Sequence, residues 1–322
     1  MTSPGRLSGP LTSFVGRASA VELVTRLLVD HRLVSVVGPG GCGKTRLAVE
    51  VSQRTRLVPA QSVFFVDLSG LADPGLVPGT VLRALRLRVP GANPLDTLTS
   101  YLSKRQLLML LDNCEHLLGA CAELVTALAR DCPGVRVLAT SRERLGTPGE
   151  AVVDLDGLEL PEPGAGGDES WLLRAEAGRL FIDRARLARA GFQLSGNDAL
   201  VVAAICQRLD GIPLTLEMAA ARVRLMSVGA IAEGLSDRLR LISTGSGRGG
   251  PPRQRSLLAS IEWSCALLTE SERVLLHRLS VFASGFTFRA AEGVCAGDEI
   301  ERDDVFGLLA SLVEKSLVQA SP

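Results

Sequence analysis

Residues 38–45, Gly38-Pro39-Gly40-Gly41-Cys42-Gly43-Lys44-Thr45, set glycines, one lysine and one hydroxyl in the spacing G-x-x-x-x-G-K-[ST]. Glycines carry no Cβ, so successive backbone N–H groups can turn inward and form a concave anion site. The ammonium of Lys44 suits the β- and γ-phosphate oxygens of a nucleotide, and the Thr45 hydroxyl suits Mg²⁺. Only three lysines (Lys44, Lys104, Lys315) stand beside 32 arginines. A chain that writes nearly all its positive charge as arginine keeps lysine in this slot. A compact ammonium fits among phosphate oxygens, where a planar guanidinium does not. The competing reading, a glycine-rich turn that matches by chance, leaves that choice without a cause.

Other residues could serve the same chemistry. Leu107-Leu108-Met109-Leu110-Leu111 is a continuous apolar run closed by Asp112-Asn113. In a sheet covered on both faces such a run is a buried strand, and its terminal carboxylate emerges beside the phosphate loop. Asp112 is the candidate partner of Thr45 in the Mg²⁺ shell; an Asp that caps the next helix would read the same way. Thr140-Ser141-Arg142 closes a further strand. Arg142 there can face a γ-phosphate, with Arg144 as a rival and a plain surface arginine as the alternative. Glu115 is a candidate base for water and equally a solvated or capping residue. The histidines, His31, His116 and His277, are scattered, so no metal is expected beyond nucleotide-bound Mg²⁺.

These residues need elements to hold them. Residues 33–37 read as a strand leading into the loop, and 44–54 as the helix after it. Residues 62–68 (SVFFVDL), 107–111, 135–139 and 151–158 (AVVDLDGL) read as further strands, with helices over 81–87 and 113–130. Repeated strand and helix predict an α/β P-loop NTPase domain with a parallel, doubly wound sheet. Residues 161–170 (PEPGAGGDES) break the composition, and beyond them the pattern is helical over 171–189, 198–209 and 213–226. A second linker, 243–252 (STGSGRGGPP), precedes helices expected at 256–267, 271–281, 289–294 and 305–315 and a short strand at 317–319, which suggests a winged-helix domain. The resulting division is a flexible lead-in (1–13), a nucleotide-binding domain (14–160), an α-helical domain (171–243) and a winged-helix domain (253–322).

The totals narrow the function. Formal charge is zero over 322 residues, so no global field holds a polyanion. Aromatics make up 4%, too few for a base-stacking platform. Seven cysteines without a C-x-x-C pair read as reduced, buried thiols. No apolar run approaches a membrane span, and a cytoplasmic protein is expected.

Together FVGR (14–17), GPGGCGKTRLA, LLMLLDNCEHL (107–117), VLATSRERLG (137–146), CQRLDGIPLTLEMAAAR (206–222), RQRSLLASIEWS (253–264) and LVEKSLV resemble the NB-ARC-type STAND ATPases. Within that family they resemble bacterial transcriptional regulators of the AfsR and MalT kind. The resemblance implies that Phe14, Val15 and Arg17 border adenine and ribose, and that Pro213 contacts the base. Gly38, Gly40, Gly41, Cys42, Gly43, Lys44, Thr45 and Arg46 would surround the phosphates, with Arg142 on the γ-phosphate. It also implies ATP/ADP with Mg²⁺ as cofactors, slow ATPase activity and a switch in which ADP holds a closed monomer and ATP favours a homo-oligomer. DNA would be reached only through an effector domain outside this chain, which would be the regulatory core of a larger protein. Three departures stand out. Ala18-Ser19-Ala20 follow FVGR in place of acids, Asn113 fills the second Walker B position, and no MHD-like histidine lies near residue 322. The alternatives are a nucleotide-bound scaffold without turnover and an AAA+-like ATPase whose winged helix binds DNA. The acidic stretch 297–304 (GDEIERDD) opposes the second by repulsion of phosphates.

Overall fold

The computed structural model describes residues 12–87, 93–162, 167–235, 268–282, 285–297, 299–315 and 317–318. Five parallel strands form one sheet in the order β2-β3-β4-β1-β5. They are β1 (Leu33–Val37), β2 (Val63–Asp67), β3 (Leu107–Asp112), β4 (Val135–Ser141) and β5 (Glu150–Asp154). Strand β1 lies between β4 and β5, with Val37 level with Ser141 and Asp154. The end of β3 lies level with the end of β2, Asp112 against Asp67. All the polar strand ends therefore gather on one edge of the sheet, where a doubly wound fold places its ligand crevice.

The apolar runs are continuous because both faces are covered. In β3, Leu107, Met109 and Leu111 pack with α3 (Val77–Ala84), α4 (Pro94–Leu102) and α5 (Leu118–Asp131). The alternate residues Leu108 and Leu110 pack with α1 (Ala18–Asp30) and α2 (Lys44–Arg54) on the other face. That is the period-two signature of a strand buried on both sides.

A second core is helical. Helices α6 (Glu169–Leu172), α7 (Glu176–Ala188), α8 (Asp198–Arg208), α9 (Pro213–Ala221) and α10 (Val228–Gly234) enclose Trp171, Phe181, Ile205, Leu216 and Ile231. A third core joins α11 (Glu270–Leu279), α12 (Phe288–Cys295) and α13 (Asp304–Glu314) around Leu275, Val305 and Leu312.

Several boundaries differ from expectation. The helix expected over 113–130 begins later, because Asn113 adopts φ 62° and a short 3₁₀ turn, Cys114–His116, intervenes. The helix expected over 171–189 is broken between α6 and α7 at 173–175. The last strand stops at Asp154, since residues 155–158 leave the sheet to meet the helical domain. Helices α4 and α10 were not expected. Residues 317–318 lie in bends and not in a strand, and the β-structure among the described residues of this last unit is one bridge, Gly297 with Ile300. Among the described residues the last unit shows three helices and no paired wing; the winged-helix expectation also rests on residues 256–267 and 319, which lie outside them. The helix expected at 256–267, the linker 243–252 and most of the lead-in lie outside the described residues.

Candidate functional site

Strand β1 delivers the loop 38–43 to the N-terminus of α2. Gly41 and Gly43 have φ of 82° and 99°, a region that residues with a Cβ seldom adopt. Helix α2 begins at Lys44, so its unpaired N–H groups and the positive end of its dipole face the loop. Lys44 Nζ donates to the carbonyls of Gly38 (2.7 Å) and Pro39 (2.9 Å), which holds the ammonium over the loop's own backbone.

The Thr45 hydroxyl donates to Asp112 Oδ1 at 2.7 Å, bringing together the two residues expected to share Mg²⁺. Asp112 is 4% exposed. Burial raises its pKa, and hydrogen bonds from Thr140 and Thr45 pull the other way. Thr140 Oγ1 donates to the same oxygen at 2.5 Å. Asn113 Nδ2 donates to Asp112 Oδ2 at 3.2 Å and to Asp67 Oδ1 at 3.4 Å. Asn113 thus holds Asp112 in place from a left-handed conformation that asparagine tolerates. The donor set fits a nucleotide with Mg²⁺: an amide-lined concavity, one ammonium, one hydroxyl and one buried carboxylate.

Arg142 and Glu115 meet each other. Arg142 Nε lies 3.3 Å from Glu115 Oε1, and both side chains are buried. Glu115 Oε2 is buried without a hydrogen-bond partner among the described residues.

The remaining expected residues line a cleft between the sheet and helical domains, formed by Phe14, Val15, Arg17, Cys42, Gly43 and Pro213 with others. Phe14 packs on the sheet-domain core and Val15 on the helical core. The Arg17 guanidinium is turned onto backbone, donating to the carbonyls of Cys42 (3.4 Å) and Asp156. The Arg17 backbone N–H donates to Glu176 Oε1 at 2.6 Å. Arg46 likewise grips the chain entering the cleft, through Thr12 Oγ1 (2.8 Å) and the carbonyls of Thr12 and Ser13. Burial raises the pKa of the Cys42 thiol against the nearby charges of Lys44 and Arg17. Pro213 lies at the first turn of α9, and Leu214 N–H donates to the carbonyl of Gly41 at 3.2 Å. The helical domain thereby touches the phosphate loop itself.

Thr140, Asp67, Glu176, Arg184 and Glu217 belong to this region and were not singled out from sequence. Thr140 had a signal, its place two residues before Arg142. The others come into place only through tertiary approach.

A parallel sheet with this loop and this carboxylate at its edge defines a P-loop NTPase fold. The Walker-type ATPase PABY2304 of Pyrococcus abyssi superimposes with a TM-score of 0.57, covering 94% of this chain and 90% of that one at 14% identity. No family model matches the chain. An uncharacterized protein of Mycobacterium bovis is 41% identical over 310 residues, covering 96% of this chain and 75% of the relative, and the chain belongs to the same family. A second M. bovis protein, named as an HTH-type transcriptional regulator, is 44% identical over 295 residues, 91% of this chain and 32% of its own length. The regulatory protein AfsR of Streptomyces griseus is 32% identical over 341 residues, 99% of this chain and 31% of AfsR. The chain spans about a third of the length of those two regulators.

Proposed function

We propose that the chain is the nucleotide-responsive core of a transcription regulator of the NB-ARC-type STAND class. It binds ATP or ADP with Mg²⁺ and hydrolyses slowly, and the bound nucleotide sets the arrangement of its domains. The observation that carries this reading is the hydrogen bond from Leu214 N–H to Gly41 O, together with Ile212 and Leu214 lying against Gly41. A phosphate loop with a second domain seated on it can give nucleotide a different affinity for closed and open arrangements, and only such a difference shifts a population.

In this reading the loop amides and Lys44 hold phosphate oxygens, and Thr45 with Asp112 hold Mg²⁺. The metal, when bound, neutralises charge on the β- and γ-phosphates. Thr140 and Asn113 orient Asp112, Arg142 answers to the γ-phosphate, and Glu115 is the candidate acceptor of a proton from water. Phe14, Val15, Arg17 and Pro213 border the nucleoside. The last unit acts as the winged-helix module, homo-oligomerisation belongs to the ATP state, and DNA is reached through parts of the regulator outside this chain.

Denaturing the purified protein and identifying what is released, followed by calorimetry with ATP and ADP in magnesium, tests the reading. Binding is expected, weakened at least about tenfold by Lys44→Ala, with phosphate release below about 1 s⁻¹, the low end for enzymes. No heat and no adenosine compound would overturn the proposal. Release at ordinary metabolic rates would leave an enzyme in place of a switch.

A further inference from the structure

Glu217 is the one acid among the described residues that line the cleft between the domains. It stands on α9, one turn after Pro213, and faces Arg184 on α7. Arg184 Nε donates to Glu217 Oε1 at 2.8 Å. The other guanidinium nitrogens donate to Ser13 Oγ and Ser13 O, both at 3.0 Å, and to Asp183. Arg184 is only 8% exposed, so its direction is set from three sides. Glu217 Oε2 carries no hydrogen bond among the described residues, while the wall around it is supplied by Val15, Leu158, Leu180 and Pro213. Arg17 and Arg46 also line the cleft but are bonded to backbone carbonyls, and one acceptor held there is a place where a single donor on a flat ring decides what enters.

Purines differ in that respect. Adenine presents its exocyclic 6-amino group as a donor, and guanine presents O6 as an acceptor at the same ring position. A carboxylate oxygen held against that position accepts from the first and repels the second, and guanine would have to slide along its edge to offer its N1–H and 2-amino donors instead. We propose that Glu217, oriented by Arg184, selects adenine over guanine by accepting a hydrogen bond from the 6-amino group. This deepens the nucleotide-switch reading and rests on it.

The test is competition binding to the full chain with ADP, GDP and purine riboside 5′-diphosphate, which lacks the amino group. The wild-type chain is expected to bind ADP about 100-fold tighter than GDP and about tenfold tighter than the analogue. In Glu217→Gln, whose amide can both donate and accept, the preference over GDP falls to about threefold. Equal binding of ADP and the analogue by the wild-type chain overturns the assignment without any variant. So does Glu217→Gln, shown folded by its melting curve, that loses affinity for all three without changing their ratios; Glu217 would then only position the chain at Ser13. Binding of none of the three by the wild-type chain would sink the nucleotide reading instead.

Discussion

Asp112 has a small set of neighbours and a defined consequence. Two hydroxyls meet one of its oxygens and the Asn113 amide meets the other. Asp112→Asn keeps the shape and removes the charge. Nucleotide affinity is expected to fall about tenfold or more with Mg²⁺ present and to change little in a chelator, as calorimetry under both conditions can show. An equal loss under both would place Asp112 outside the metal shell. A second carboxylate, Glu272 at the start of α11, serves stability. It accepts from Lys315 Nζ with both oxygens at 2.7 Å, from Ser311 at 2.5 Å and from Thr269 N–H at 2.7 Å. Burial alone would raise its pKa, but these bonds outweigh it and hold the group at about 2. A folded-state value below the unfolded one means stability that is full above the unfolded pKa and lost as pH falls. Urea melts of the last unit are expected to weaken between about pH 5 and pH 2. Glu272→Gln is expected to remove about 2 kcal/mol near neutrality and to flatten that dependence. A wild-type curve already flat across this range would contradict the assignment.

At the scale of elements, the segment after β5 joins the two domains. Leu155 N–H still donates to Val37 O at 2.7 Å, and three residues later Leu158 N–H donates to Gly211 O at 2.8 Å. The crossing is so close that a Cβ on Gly157 would lie 2.0 Å from the carbonyl oxygen of Asp210. Both sides are backbone, so neither can yield by a rotamer change. Gly157→Ala is expected to cost about 2 kcal/mol or more and to open residues 155–175 to limited proteolysis. Gly119→Ala on the exposed surface of α5 meets nothing within 4 Å and serves as the neutral control. Equal melting of the two variants would mean that the crossing yields freely. This crossing also marks the limit of what local pattern can tell. The strands were legible because runs such as Leu107–Leu111 need no knowledge of their neighbours to be read as buried. The phosphate loop and Asp112 were legible because their residue types are dictated by ligand chemistry at fixed spacing. Residues 155–158 continue the apolar pattern of β5 and gave no sign of leaving the sheet. Helix α4 did carry a signal, Asn93 as N-cap followed by Pro94 at the first turn. Arg184 and Glu217 lie 33 positions apart on separate helices, and only the packing of α7 on α9 makes them a pair.

For the whole molecule, the sheet and helical domains are interleaved at the cleft more than merely adjacent. Phe14 and Ile212 insert toward the sheet-domain core, whereas Val15 and Leu158 insert toward the helical one. A ligand held at the phosphate loop therefore bears on segments from both domains. At 100 times its dissociation constant, a nucleotide that binds only the folded form adds about 2.7 kcal/mol. For domains of this size, at about 2–4 °C per kcal/mol, that raises the melting temperature by roughly 5–11 °C. If the two domains respond as one, hydrogen exchange is expected to slow with ADP both in residues 38–45 and at 155–158 and 211–214. With ADP held near the wild-type dissociation constant, Lys44→Ala is expected to weaken all three effects together. Protection confined to 38–45 would mean that nucleotide is held by the sheet domain alone, and the domain arrangement would then be blind to it. Protection undiminished in Lys44→Ala at that concentration would mean that ADP is held at some place other than this loop.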